Sequence, residues 1–379
     1  MKNHFKYIKY YLLILVIFFV DKIILIPTIK LNFTNAAAVN PYQETLTNVE
    51  PPQEVLHKTK RSVWVFGSSR SMGFLRFPVK SQTDVDPYTT PAEKQEINST
   101  DFEPFTYAAA NPYLFVTRLH QLLDRGLKPD LIAVEVSPSY LNGNRQINNV
   151  ITMEGIPLLT ALTHPESYTY EMRKDILLSR LFATYRYKTD FFALLTWRPR
   201  KEASQFQQLG GIDAFEQHQH KAHEKEDRPF ADDEWNDLPL EGPPSVARDQ
   251  RLTQFTKFHE QLYFSGWQLD RKLIDALASI ANSGQKNNIP VLFFKPVLYT
   301  DMIALKTKYG YEKEVLPHLL KEIQPYNGIY IDLNSAGIMK CKYFTDASHL
   351  SDRCFTEMAA KLIEAGRLDL HSIAIDKPK

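Results

Sequence analysis

Apolar positions along this chain follow two different periods. Short continuous apolar runs occur at Ser62-Val63-Trp64-Val65-Phe66, Leu131–Val136, Ile289–Phe294 and Gly328–Leu333. Runs of this length bounded by turn residues predict buried strands. Other apolar residues recur at helical spacing: Phe115, Leu119, Leu122 and Leu123, then Leu269, Leu273, Leu277 and Ile280, then a segment over 312–323. The last such face is Phe355, Met358, Ala359, Leu362 and Ile363, with Ser351 as its expected N-cap and Gly366 as its stop. Asn111-Pro112 opens the first helix as N-cap and first-turn proline, and Gly126 closes it. Residues 78–105 carry Pro78, Pro87, Pro91 and Pro104 and read as loop. Strand 62–66, helix 112–125 and strand 131–136 then form one right-handed β-α-β unit. Strands alternating with helices predict a three-layer α/β domain with a mostly parallel sheet.

The alternation stops over 150–265, which is rich in helical patterns and charge and reads as a helical insertion. Its part 226–247 holds Pro229, Pro239, Pro243 and Pro244 and reads as loop. The expected organisation is a membrane anchor or signal segment over 1–30, a linker over 31–60, and the α/β domain in two parts, 61–149 and 266–370, around the insertion. The N-terminal pattern sets the compartment. Lys2, His4, Lys6 and Lys9 precede an apolar run from Tyr10 to Val20, which Asp21-Lys22 interrupt and Ile23 to Ile29 continue. Tyr10 to Ile29 is long enough to span a bilayer as one helix, and basic residues ahead of it keep that end cytoplasmic. The expectation is a single-pass transmembrane helix with the main domain outside the cell membrane. Secretion after signal cleavage is the alternative.

Charge and composition narrow the function classes. The 45 basic and 44 acidic side chains leave a net charge of +1, which argues against nucleic acid as a partner. Two cysteines, Cys341 and Cys354, exclude a four-cysteine zinc site and a disulfide-dense scaffold. They flank a short loop, and an oxidising compartment permits a bond between them. His218, His220 and His223 sit among Glu216, Lys221, Glu224, Lys225, Glu226 and Asp227 and read as a solvated face, so no metal and no cofactor is expected. Phe191, Phe192 and Trp197 read as a helical core stripe.

Ligands of an open parallel sheet bind at the carboxyl ends of its strands, and three segments reach that edge. Gly67-Ser68-Ser69-Arg70-Ser71 follows the first strand, where a turn exposes a hydroxyl beside backbone N–H groups. Ser137-Pro138-Ser139-Tyr140 follows the second. Asp346-x-x-His349 precedes the last helix. A nucleophilic serine needs a base, and the base needs a group that holds its tautomer. Of eleven histidines, only His349 has an aspartate three residues before it.

Glycine-x-serine after the first strand together with D-x-x-H before the last helix resembles the SGNH (GDSL-like) hydrolase superfamily. The likeness is greatest to its membrane-anchored branch of DltD-like and polysaccharide O-acetylation proteins, which carry Gly-Ser-Ser where other members carry Gly-Asp-Ser. It covers 60–140 and 285–366. It implies a flavodoxin-like, SGNH-type sheet, with Ser69 as nucleophile, His349 as base and Asp346 as its orienting partner. The superfamily's second-block glycine is matched here by Ala108-Ala109-Ala110-Asn111, and its third-block asparagine by Ser137-Pro138-Ser139. The oxyanion candidates are therefore Ser69, Arg70, Ala110, Asn111, Ser137 and Ser139. Two functions follow as expectations. One is an extracytoplasmic esterase or O-acyltransferase acting on an acylated glycan or lipid of the cell envelope. The other is an inactive, membrane-tethered binding or assembly protein of the same fold. The insertion is expected to act as a lid over the site.

Overall fold

The computed structural model describes residues 2–34, 60–76, 86–107, 110–144, 155–187, 189–198, 238–239, parts of 253–266, and 267–367. His218, His220 and His223 lie outside these, as do most of the expected loop 226–247 and both Ala108 and Ala109. The described chain falls into two units. One comprises 1–48, 153–163 and 169–234; the other comprises 49–152, 164–168 and 235–379.

In the first unit, α1 (Lys2–Ile23) and α2 (Pro27–Phe33) are separate helices. The single helix expected over Tyr10–Ile29 is not formed. Proline lacks an N–H and disfavours helical backbone in the residue before it, so the chain turns at Ile24–Ile26 and restarts with Pro27 in the first helical turn. Among the described residues, no helix is long and apolar enough to cross a membrane. Asp21, which the sequence presents as an interruption, is buried. Its carboxylate accepts from the N–H groups of Ala183 and Thr184 at 2.7 and 2.8 Å and from the Thr184 hydroxyl at 2.6 Å. Lys22 donates to the Leu181 carbonyl at 2.6 Å. The Phe33 ring meets Trp197 at 4.9 Å. Trp197, Phe191 and Phe192 are exposed instead of forming a core stripe, whereas Tyr10–Leu13 and Leu15–Val20 expose their side chains around α1.

The second unit is built on five parallel strands, β1 (Arg61–Gly67), β2 (Thr100–Thr106), β3 (Leu131–Glu135), β5 (Val291–Lys295) and β6 (Ile329–Asp332); the two-residue β4 (Leu238–Pro239) lies outside this sheet and pairs antiparallel with the later strand Tyr343–Asp346. Their spatial order is β2-β1-β3-β5-β6. In order of chain appearance this is 2-1-3-4-5, a doubly wound arrangement whose switch point lies between β1 and β3. Residues 86–105 are therefore not all loop. Thr90 caps the helix Pro91–Asn98 through a reciprocal bond with Glu93, and β2 follows directly. Pro104 is tolerated because β2 is an edge strand.

Alternate residues of each strand feed two cores. Val63, Val65, Ala133, Leu292 and Phe294 pack with Phe355, Met358, Ala359, Leu362 and Ile363 of the last helix, Phe355–Arg367. Trp64 and Phe66 face the other way and stack near Phe105 and Phe115. Asn111 caps the helix Pro112–Asp124 through the Leu114 N–H, and Gly126 takes the left-handed turn after it (φ 76°). Gly366 lies inside the last helix instead of stopping it. A β-carbon there would sit 2.6 Å from Leu131, so the residue permits close helix–sheet approach.

A smaller hairpin completes the unit: β7 (Tyr343–Asp346) pairs antiparallel with β8 (His349–Leu350). Cys341 and Cys354 form a disulfide across its base, with α-carbons 5.4 Å apart. The bond closes a loop of sequence separation 13, and in the chain-entropy account such a loop contributes about 3 kcal/mol. Replacing both cysteines by serine should lower unfolding free energy by about that much, measured by denaturant titration against the oxidised parent.

Candidate active site

The serine turn, Glu135 and the Ser137–Tyr140 segment lie at or beyond the carboxyl edge of the parallel sheet. β1 ends at Gly67, and the chain turns through a 3-10 segment, Ser69–Arg76, instead of an α-helix. The turn needs glycine at its start, since a β-carbon on Gly67 would lie 2.5 Å from Ser71 and 3.0 Å from the Glu135 carboxylate. Phe74 anchors the far end of the segment, stacked on Phe102 at 5.5 Å and edge-on to Phe355 at 5.0 Å. The last helix and the serine turn are thereby held to each other.

Ser69 and His349 meet across 280 positions of sequence. The Ser69 hydroxyl lies 2.8 Å from His349 Nε2. His349 Nδ1 is 3.1 Å from the Ser348 hydroxyl. Asp346 pairs directly with His349 in the β7–β8 ladder, and its side chain lies outside the described residues. The contact between Ser69 and His349 is of hydrogen-bond length, the distance over which an imidazole can accept a hydroxyl proton.

The other two serines of the turn do different work. The Ser68 hydroxyl donates to Glu135 Oε1 at 2.6 Å, and its N–H donates to Oε2 at 2.9 Å. The Ser71 hydroxyl donates to Glu135 Oε2 at 2.7 Å. Glu135 ends β3 and is fully buried. A buried carboxylate is tolerated only when its oxygens are paired, and here three donors and a guanidinium serve it. Arg70 Nη1 lies 3.8 Å from Oε1 and 3.3 Å from the Ser139 hydroxyl, and Nη2 lies 2.9 Å from His259 Nε2. Ser139 in turn lies 3.1 Å from the Ser137 hydroxyl.

These contacts sort the oxyanion candidates. The Ala110 N–H donates to the Tyr107 carbonyl at 3.1 Å, so it is engaged. The Arg70 N–H reaches the Ser68 hydroxyl at 3.4 Å, and its Nη atoms meet Ser139, Glu135 and His259, while its buried Nε has no hydrogen-bond partner. Ser137 and Ser139 bond each other within the same buried network. Asn111 spends its carbonyl oxygen on the helix cap, while its buried Nδ2 has no partner.

Glu135, His259, Lys306 and Ser348 were not singled out by sequence. Glu135 had a readable signal, a single charge closing an otherwise apolar buried strand, because glutamate is rarely fully buried unless paired. Lys306 lies in the helix Thr300–Lys308, fully buried, with no hydrogen-bond partner on its Nζ. Burial, then the Arg70 and Lys295 cations, push its ammonium well below the usual lysine range, against the pull of Glu135 and Asp332.

The fold and site together define an α/β protein with a serine–histidine pair at the carboxyl edge of a doubly wound sheet. By its sequence the chain belongs to the family described as Protein of unknown function (DUF1574), whose model matches residues 2–365. No curated protein matches it.

Two stability predictions follow from the network. Ser68→Ala and Ser71→Ala each remove a charge-assisted hydrogen bond to Glu135 and should cost about 1.5–3 kcal/mol, read from denaturant midpoints. Both are buried, so the lost bond leaves a carboxylate oxygen short of a donor that water cannot replace. Because its pKa is lowered on folding, Lys306 binds fewer protons folded than unfolded at any pH between that lowered value and the ordinary lysine value. Stability lost to this linkage is therefore recovered as pH rises. Lys306→Met should raise Tm at pH 7, and its advantage over the parent should shrink toward pH 10.5. An advantage that does not change with pH would contradict a lowered Lys306 pKa.

Proposed function

We propose that this chain is an SGNH-type serine esterase or O-acyltransferase acting on an acylated glycan or lipid of the cell envelope. The observation that carries the reading is the 2.8 Å contact between the Ser69 hydroxyl and His349 Nε2 at the edge where doubly wound sheets bind ligands. The strand order 2-1-3-4-5 agrees with the flavodoxin-like arrangement that the resemblance implies.

In this reading Ser69 Oγ attacks the acyl carbonyl and passes its proton to His349 Nε2. The imidazolium returns the proton to the leaving alkoxide, leaving an acyl group on Ser69. Water or a sugar hydroxyl then attacks the acyl-enzyme, with His349 again as base, and releases Ser69. Asp346, paired with His349 in the hairpin, orients the imidazole. The Ser69 N–H and the unpartnered Asn111 Nδ2 are the donors assigned to the oxyanion.

The cell membrane is the proposed location. Its support is the N-terminal unit, where α1 exposes Tyr10–Leu13 and Leu15–Val20 and neighbouring helices expose Phe192 (73%) and Leu195 (85%). Apolar surface of this extent marks a membrane or protein contact, and Lys2, Lys6 and Lys9 lie at the N-terminal end of α1, before its apolar run.

The full-length protein, reacted with a fluorophosphonate and digested, should carry the label on Ser69. Ser69→Ala and His349→Ala should each lower ester turnover by roughly 10⁴-fold or more, and the double variant should be little worse. Asp346→Asn should cost less than either. A label on Ser68 or Ser71 would move the nucleophile. A folded protein that never labels, with unaltered function in Ser69→Ala, would leave the binding or assembly role instead.

A further inference from the structure

A second cluster of chemistry-bearing side chains lies in the sheet unit, apart from the serine–histidine pair. His120 comes from the helix Pro112–Asp124, and His164 and Glu166 come from the short segment 164–168. Each offers one donor atom, and the three donor atoms lie within 4.8 Å of one another. The imidazoles stack at 3.8 Å with 10° between their planes. His164 Nδ1 is 3.7 Å from Glu166 Oε1.

The outer contacts of these histidines are what distinguish the cluster from a chance pair. His120 Nε2 lies 2.8 Å from the Ser167 hydroxyl, which is itself 2.6 Å from the Ser279 hydroxyl. His164 Nε2 lies 2.9 Å from Asp124 Oδ2. A metal-ligating histidine characteristically gives its other ring N–H to a carboxylate or hydroxyl, which fixes its tautomer and aims the free nitrogen. Both rings here have that outer partner on Nε2, which leaves Nδ1 of each for a ligand.

We infer that His120, His164 and Glu166 form a binding site for a divalent transition ion of the zinc class. Two imidazole nitrogens and one carboxylate oxygen suit such an ion, and three protein donors leave a fourth position for water. Asp124 and Ser167 are positioning residues for the two rings. Glu166 is half-exposed and can close on the ion, and binding requires the stacked rings to part so that their lone pairs converge. The ion would tie 164–168, a segment flanked on both sides by chain of the N-terminal unit, to the helix Pro112–Asp124. The spacing hid this site from sequence, since 43 residues separate His120 from His164.

The test is zinc titration of the full-length protein in detergent without a polyhistidine tag, by calorimetry and by Tm. One equivalent should bind and raise Tm. His164→Ala should abolish that binding, and Asp124→Asn should weaken it roughly tenfold by disturbing only the outer partner. Both positions are more exposed than His120, so their metal-free Tm should stay near the parent's and report that the fold is kept. The His218, His220 and His223 stretch is a competing chelator, so a variant with all three changed to asparagine should still bind one equivalent. Absence of binding by the parent, binding unchanged in His164→Ala, or binding lost in the triple variant would each overturn the inference.

Discussion

The Glu135 carboxylate is the constraint around which the serine turn is built. Placing a carboxylate at the end of a fully buried strand costs several kcal/mol unless donors replace its water. The residues after β1 supply them: the Ser68 N–H and hydroxyl, the Ser71 hydroxyl and, at longer range, the Arg70 guanidinium. Meeting that demand fixes the turn at both sides of Ser69. It also explains why Gly67 cannot carry a side chain, since its β-carbon would occupy space that Ser71 and Glu135 share. Of the three serines, Ser69 alone is left outside the carboxylate's reach and within that of His349. One buried charge on β3 thus assigns different roles to three chemically identical side chains on β1's turn.

The same burial bears on the cations nearby. Arg70 sits against Glu135 and His259. Lys306 has no hydrogen-bond partner, and burial, then the Arg70 and Lys295 cations, push its ammonium well below the usual lysine range. Lys295 meets Asp332 at 3.0 Å and Glu312 at 3.5 Å.

Much of the sheet was legible because buried strands leave uninterrupted apolar runs. All four strands read from such runs are present, together with the capped helix after Asn111. β2 was hidden because edge strands tolerate proline and polar residues; Thr100, Asp101, Glu103 and Pro104 carry no apolar run. The Tyr10–Ile29 helix failed for a local reason, the backbone restriction at Pro27, reinforced by partners for Asp21 that lie 162 residues away and leave no trace in the local pattern. Ser69 and His349 could be named because each sits beside a recognisable turn. Glu135 left a local signal, a lone charge closing an apolar strand, whereas the His120–His164 pair depends on which elements the fold brings together, and local spacing does not encode that.

The three-residue spacing from Asp346 to His349 has its own structural cause. Those two residues face each other across the last rungs of β7 and β8, so only Ala347 and Ser348 are left to make the turn. The Ala347 carbonyl accepts from the Tyr299 N–H at 3.2 Å, which holds the turn against the chain leaving β5. At the other end, the Ser351 N–H donates to the Tyr343 carbonyl at 2.9 Å, and the Cys341–Cys354 bond closes the base. Buried Glu357 of the last helix receives the N–H groups of Lys340 and Cys341 at 2.8 and 2.7 Å. The hairpin that delivers His349 is therefore fastened to the same helix whose Phe355 packs on Phe74 of the serine turn. A 2.8 Å contact between side chains 280 residues apart needs both of its loops tied to a shared rigid element. Here that element is the helix Phe355–Arg367, which carries no residue of the proposed chemistry.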